Sequence, residues 1–302
     1  MIVFALMALL ASGLGAEQHI AASPATTMPA STPADEPGRP DDWRITVATL
    51  NVYFENRSPE LAIRAIRDSE ADIVFLQETT TRFEKQLRKD LKNTYPHVHF
   101  KSGGKLPAAR FGILSRYPLA KPTMLPARHG LFGAMIAQTT IDGRRLQLVN
   151  VHLKPLQLRA NARPFEHLQA FRVLDKAHEA ELQYILKSID PKLPTIIAGD
   201  FNSIPHSAGP RLLAEEGYAD AFKLPSTNPA ECEEDSGPPT WQIDTGLGPI
   251  RLRIDYIFCS KDLTAVAGKV IPDTGSDHRL VVAEIGLAEG DASPQPATAA
   301  GP

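Results

Sequence analysis

Apolar positions along the chain fall into short runs with two different periods. "RITVATLNV" (44–52) and "ADIVFLQE" (71–78) are nearly continuous apolar runs of strand length, as expected of strands covered on both faces. "SPELAIRAIRDSE" (58–70) instead spaces Leu61, Ala65 and Ile66 helically behind a serine cap and Pro59. "RFEKQLRKDLKN" (82–93) is a second short helix with Phe83, Leu87 and Leu91 on one face. Strand-like pieces follow at 97–102, 110–119, 130–141 and 144–153, the last two joined by an Asp-Gly turn in "DGRR". A long helix is predicted at 164–188, a buried strand in "LPTIIAGDFN" (193–202) and a small helix at 207–216. A loop rich in proline, glycine and acids occupies 223–249. "IRLRIDYIFCS" (250–260), "LTAVAGKVI" (263–271) and "HRLVVAEIGL" (278–287) close the pattern as strands. Many short strands with few helices predict two sheets packed face to face with helices outside.

Both ends of the chain depart from this pattern. The run Ile2–Leu14, followed by Gly15 and Ala16, resembles the apolar part of an export signal over residues 1–22, although no lysine or arginine precedes it. Residues 23–40 are dominated by Pro, Ala, Ser and Thr and read as a linker, and 289–302 as a tail of the same character, leaving 41–288 as the folded domain. Export to the periplasm or medium, or tethering by an uncleaved N-terminus, is the expectation. No run of 18 apolar residues predicts an ordinary membrane-spanning helix. The formal charge of −3 resides in the two ends, so the core is close to neutral and lacks the basic field of a non-specific nucleic-acid binder. A nuclease that touches a few phosphates remains open. Two cysteines, Cys232 and Cys259, make neither a disulfide framework nor a zinc site.

The ends of the buried runs carry the chemistry. Asn51 stands near the end of the first strand and Glu78 at the end of the second. Asn150 and His152 close "LQLVNVHL", and Asp200 and Asn202 close "TIIAGDFN". Asp255 sits inside "RIDYIF", and Asp277 and His278 open the last strand. Each has a plain alternative. Gly-Asp-Phe-Asn can be a simple turn, His152 a satisfied core histidine, and Asp255 the partner of Arg251 or Arg253. Together they weigh differently, because charged residues are seldom buried unless paired or bound to metal. If the ends converge, crowded carboxylates raise one another's pKa values and oppose folding, and a hard divalent cation relieves this. Oxygen donors without cysteine favour Mg²⁺, with Mn²⁺ or Ca²⁺ as alternatives. Such a set suits metal-assisted hydrolysis of a phosphoester. No G-x-S-x-G elbow, phosphate-binding P-loop or dinucleotide fingerprint is present.

The motifs "TLNV", "DIVFLQE", "GILSRYPL", "VNVHL", "IIAGDFN", "RIDYIF" and "GSDHRLVV", in this order over about 50–285, resemble those of the endonuclease/exonuclease/phosphatase superfamily. The resemblance implies an α/β (α+β) fold, a four-layer αββα sandwich of two mixed sheets flanked by helices. It also implies roles. Glu78 is the principal metal ligand, with Asp277 nearby and Asn51 supporting metal and water. Asp200 and Asn202 orient or activate the attacking water, and Asp200 is placed to hold a second cation. His278 contacts the phosphate and is kept in its tautomer by Asp255. His152 steadies the non-bridging oxygens or protonates the leaving oxygen, as in the secreted nuclease, sphingomyelinase and inositol-polyphosphate phosphatase branches rather than the abasic-site endonucleases.

The substrate is less determined. Arg82, Arg110 and Asn150 are the expected substrate contacts, and the phosphoester is a nucleic acid, a lipid or a small phosphate ester. A lipid phosphodiesterase would show an exposed apolar hairpin, for which Leu131 and Phe132 in "RHGLFGAMI" are candidates, although a core strand explains them equally. A phosphomonoesterase or pyrophosphatase outside the cytoplasm is the alternative enzyme, and a non-catalytic binding module the alternative class. The acidic "ECEED" (231–235) is a candidate structural Ca²⁺ loop set against a solvated one, and His206 is the nearest accessory histidine. No obligate protein partner is expected, and the chain reads as a monomer.

Overall fold

A computed structural model describes residues 43–156, 164–222, 237–245 and 248–288. The signal-like head, the linker, the tail, Cys232 and "ECEED" lie outside these residues. Among the described residues, no helix is long and apolar enough to cross a membrane.

Two six-stranded mixed sheets pack face to face. The first contains β1 (Arg44–Asn51), β2 (Ile73–Gln77), β3 (His97–Ser102), β4 (Arg110–Ser115), β13 (Leu263–Ile271) and β14 (Leu280–Leu287), in the order β13-β14-β1-β2-β4-β3. The second contains β5 (Leu119–Leu125), β6 (Ala134–Ile141), β7 (Arg144–His152), β8 (Thr195–Asp200), β9 (Ala219–Asp220) and β12 (Asp255–Cys259), in the order β5-β6-β7-β8-β12-β9. β10 (Trp241–Thr245) and β11 (Gly248–Leu252) form a separate two-stranded ribbon. Helices α1 (Pro59–Asp68) and α2 (Thr81–Asp90) cover the first sheet, and α3 (Pro164–Lys187) and α4 (Ala208–Glu215) the second.

The sequence accounts for this layering. β1, β2 and β8 are buried along almost their whole length, so each must be covered on both faces. Val47, Phe75, Ile113, Leu148 and Ile196 fill the space between the sheets, while Ile63, Ile66 and Leu87 seal the first outer layer, and Leu182, Ile185 and Leu213 the second. Burying one such aliphatic side chain contributes about 1.5–3 kcal/mol. The four predicted helices form within a few residues of their expected ends.

Three strand readings required correction. "RFGILSRYPL" is two strands in different sheets, β4 and β5, because Arg116–Pro118 turns the chain across the sandwich. "IRLRIDYIFCS" is likewise split at Arg253 and Ile254 into the ribbon strand β11 and the core strand β12. The loop drawn over 223–249 contains β10, whose Trp241 and Ile243 face Leu252 and Ile250 in register.

Register sets up the site. β1 and β2 run parallel with Asn51 opposite Gln77, and β7 and β8 run parallel with His152 opposite Asp200. β12 runs antiparallel to β8 with Asp255 opposite Asp200. The carboxyl ends of two parallel pairs therefore open on the same edge of the sandwich, a location where ligands bind in open α/β sheets. At Gly199 (φ +146°) a Cβ would strike the carbonyl of Val151 on the neighbouring strand, so only glycine lets β8 lie this close to β7 just before Asp200.

Candidate active site

Asn51 lies at the centre of the convergence. Its amide nitrogen donates to Glu78 Oε1 at 3.0 Å and to Asp200 Oδ2 at 2.9 Å, joining the two sheets through their polar ends. Its oxygen accepts the backbone N–H of Tyr53 at 3.0 Å. Asn51 thus presents its N–H groups to the two carboxylates. Glu78 also accepts the Phe54 N–H at 3.3 Å.

Three residues here adopt left-handed backbone: Tyr53 (φ 56°), Glu78 (φ 57°) and Asn202 (φ 47°). Non-glycine residues seldom do so outside turns and functional sites. Glu78 follows β2 directly, and Asn202 comes two residues after the end of β8. Asn202 N–H donates to Asp200 Oδ1 at 2.9 Å and its amide nitrogen to Leu153 O at 3.0 Å, which leaves its side-chain oxygen for the cleft it lines.

His278 enters from the turn before β14. Its Nδ1 lies 3.1 and 2.9 Å from the two oxygens of fully buried Asp255, and its Nε2 is 3.7 Å from Asp200 Oδ2. Burial opposes the charge on this imidazole, but the fields of Asp255 and Asp200 outweigh it and push the pKa up to about 10. Asp255 takes His278 as its partner rather than the neighbouring arginines. Arg253 pairs instead with buried Asp220.

His152 is the opposite case. Burial first, and the His278 charge second, hold its pKa down at about 3, so it is neutral. Its ring stacks on Phe132 (centroids 4.1 Å apart), and Nδ1 lies 3.2 Å from Ala108 O. A carbonyl only accepts, so that nitrogen carries the proton, and the lone pair of Nε2 points among Asp200 Oδ2 (3.5 Å) and Glu78 Oε1 (3.7 Å). Phe132 is accordingly a core residue rather than the tip of a membrane hairpin.

Burial raises the pKa of Asp200 to about 7, against the lowering field of His278, and raises that of Glu78 against the Asn51 hydrogen bond. Asp277 lies within electrostatic reach of Glu78 and lines the same cleft. Four carboxylates thus gather around one imidazolium. This is the charge excess that a divalent cation relieves, and Glu78, Asp200 and Asp277 are the carboxylates that fit one. Asp255 also belongs to the buried Asp200–Asp255–His278 cluster, but its oxygens are engaged by the His278 ring.

The expected substrate contacts fare unevenly. Asn150 is correctly legible as buried but not as a substrate contact. Its amide donates to Leu76 O and Gly112 O at 3.0 and 2.9 Å and accepts Gln77 Nε2 at 2.7 Å, all inside the inter-sheet core. Arg110 pairs with Glu84 of α2 and does not line the cleft. Arg82 is exposed and lines a second groove of about 310 Å³ together with Tyr53 and Glu78. His206 is exposed at a separate cavity with Arg211 and Tyr218.

Two contributors were not visible as such in the sequence. Trp241 donates from Nε1 to Asp277 Oδ2 at 2.9 Å, tying the ribbon to the site. Thr240 Oγ1 accepts the N–H groups of Ile254 and Asp255, both at 3.0 Å, and fixes the start of β12. A lone tryptophan in an acidic, proline-rich stretch was the available signal for the first. Nothing distinguishes Thr240.

A four-layer sandwich with carboxylates, an asparagine and an aspartate-held histidine at one edge defines a metal-dependent phosphoester hydrolase. The family model described as the endonuclease/exonuclease/phosphatase family matches residues 48–278, and the chain belongs to that family. Solved structures share the fold. An endonuclease/exonuclease/phosphatase from Beutenbergia cavernae DSM 12333 superposes with a TM-score of 0.59 at 19% identity, covering 81% of this chain and 72% of that one. Truncated Caenorhabditis elegans TDP2 gives 0.59 at 18% identity, covering 82% and 100%. Beta toxin from Staphylococcus aureus gives 0.54 at 16% identity, covering 79% and 99%. No curated protein matches the sequence.

Proposed function

We propose that the protein hydrolyses a phosphodiester by attack of water at the cleft where Glu78, Asp200, Asp277 and His278 converge. That convergence, from segments far apart in the chain, is the observation that carries the reading. When bound, a divalent cation, Mg²⁺ by donor type, supplies Lewis-acid polarisation of a phosphoryl oxygen. Glu78, Asp200 and Asp277 would hold it. Asp200 and the oxygen of Asn202 orient the attacking water, and Asp200 is the acceptor of its proton. His278, kept charged and aimed by Asp255, donates from Nε2 to the phosphoryl oxygens. Neutral His152 lines the cleft beside Asp200.

A relative on this fold, TDP2 of D. rerio (TM-score 0.60, 19% identity), is complexed with a single strand DNA product, which supports a diester-derived phosphate in such a cleft. The test is turnover of bis-nitrophenyl phosphate with Mg²⁺ or Mn²⁺ and its loss on adding EDTA. His278→Ala and Asp200→Asn should each cost at least about 10²-fold in rate. Unchanged turnover in either variant removes that residue from the mechanism. Export belongs to the same proposal, and N-terminal sequencing of mature protein should find roughly the first 15–22 residues gone.

A further inference from the structure

The cleft has two kinds of wall. Its floor is the polar cluster just described, but the rest of its roughly 410 Å³ is hydrocarbon. Phe171 and Leu174 of α3 form one side, and Ile243, Ile250 and Leu252 of the ribbon form another. Among the described residues that line it there is no lysine and no arginine.

The ribbon explains how this wall is presented. Its register pairs Trp241 with Leu252 and Ile243 with Ile250, and alternation places these four on one face. Gln242 and Arg251 pair on the other face and hydrogen-bond each other at 2.9 Å. A two-stranded ribbon outside both sheets needs something against its apolar face. Instead that face lines an open cleft, and Ile243 keeps 40% of its surface exposed. Trp241 stands at the junction, with its ring in the apolar wall and its Nε1 on Asp277. The apolar surface therefore begins where the polar floor ends.

Resting on the phosphodiesterase reading, we propose that the cleft between the ribbon and α3 binds a hydrocarbon group carried by the substrate, and that the substrate is a monomeric amphiphilic phosphoester. Three observations favour this occupant over a nucleic-acid strand. The wall is continuous with the phosphate site, its described residues include no cation to follow a phosphate backbone, and its volume is that of a small organic group. Hydrolysis adds water across one P–O bond, releasing an alcohol and leaving a phosphomonoester. The hydrocarbon remains with one product while the polar floor retains its charges.

The test is a series of p-nitrophenyl alkyl phosphodiesters (methyl, butyl, octyl), each below its aggregation concentration, with a nucleoside 5′-(p-nitrophenyl phosphate) alongside. All share one leaving group. The expected result is a kcat/KM that rises roughly three- to fourfold per methylene until the cleft is filled, with the octyl ester ahead of the nucleoside ester. In Ile243→Ser/Ile250→Ser, a pair on the ribbon outside the main core, the octyl-to-methyl ratio should fall toward one, and Phe171→Ser should act in the same direction. A second readout is binding. Octyl phosphate should perturb the fluorescence of Trp241, compared with a Trp241→Phe control, at far lower concentration than methyl phosphate. Flat kcat/KM across the series with EDTA-sensitive turnover overturns the hydrocarbon site and leaves the phosphodiesterase standing. Preference for the nucleoside ester, or a chain-length effect seen only above aggregation or on phosphatidylcholine vesicles, also overturns it. Absence of turnover of every diester with Mg²⁺ and with Mn²⁺ overturns the underlying reading and the inference with it.

Discussion

Asp255 holds His278 with both carboxylate oxygens, at 3.1 and 2.9 Å from Nδ1, in a site where Asp255 has no exposed surface. The geometry fixes the ring so that Nε2 faces Asp200. The Asp255 charge also outweighs burial and keeps the imidazole protonated. Asp255→Asn keeps the shape and removes the charge. Turnover should fall by about 10²–10⁴-fold. Imidazole NMR gives the independent readout: His278 should stay protonated up to about pH 10 in the metal-free wild type and titrate at clearly lower pH in the variant. Equal titration curves would show that Asp255 is not what charges the ring.

His152 makes the opposite pH statement. Its folded pKa of about 3 lies below the ordinary histidine value of 6.5, so the unfolded chain binds the proton more readily. The stability this histidine contributes is therefore complete above pH 6.5 and is lost as pH falls from there toward 3, with a limiting slope of about 1.4 kcal/mol per pH unit. Asp200, raised to about 7, runs against this: its contribution is present below its ordinary carboxylate range and is lost as pH rises through 7. The wild-type curve alone mixes the two. The difference between metal-free wild type and His152→Gln isolates the histidine and should show the wild type losing ground between pH 6.5 and 4. A pH-independent difference in urea midpoints would mean that His152 is not held neutral.

Four acidic groups around one imidazolium should make the metal-free site the weak point of the fold. Mg²⁺ at a hundredfold excess over its dissociation constant would stabilise the protein by about 2.7 kcal/mol, an increase of roughly 5–10 °C in Tm for a domain of this size. Glu78→Gln removes a buried charge whose pKa is already raised by burial. It should raise the Tm of the metal-free protein while weakening Mg²⁺ binding at least about tenfold. A Glu78→Gln variant with unchanged Mg²⁺ titration would exclude Glu78 as a ligand.

Much of this site was legible because burial and charge conflict in sequence. Glu78, Asp200 and Asp255 interrupt the most apolar runs of the chain, and such interruptions need a partner. The fold was legible for a similar reason: runs such as Ile73–Gln77, buried throughout, admit no solvent-facing sheet surface. What stayed hidden depends on tertiary register. Nothing local says that Arg116–Pro118 carries the chain from one sheet to the other, or that Trp241 folds back onto Asp277 across 36 residues of sequence. Arg110 was read from its place before "FGILS" and Asn150 from its place within "VNVHL". Partners elsewhere in the fold claimed these two groups: Glu84 of α2 takes Arg110, and Gln77 of β2 takes Asn150.

Asn150 offers a direct test of that correction. Its amide makes three hydrogen bonds across the inter-sheet space, to Gln77, Leu76 O and Gly112 O, and it has no exposed surface. Asn150→Ala would leave those partners buried and unsatisfied beside a small cavity, at a cost of about 2–4 kcal/mol. A residue that only supports the core should leave kcat/KM within about threefold at temperatures where the variant is folded, because none of its hydrogen bonds reaches the cleft. Asn150→Asp should be worse than Asn150→Ala, since a carboxylate there would face two carbonyl oxygens with no donor to offer them. If Asn150→Ala instead melts like wild type and loses most of its kcat/KM, the amide contacts the substrate after all, and the hydrogen bonds to Leu76 and Gly112 are not what it is for.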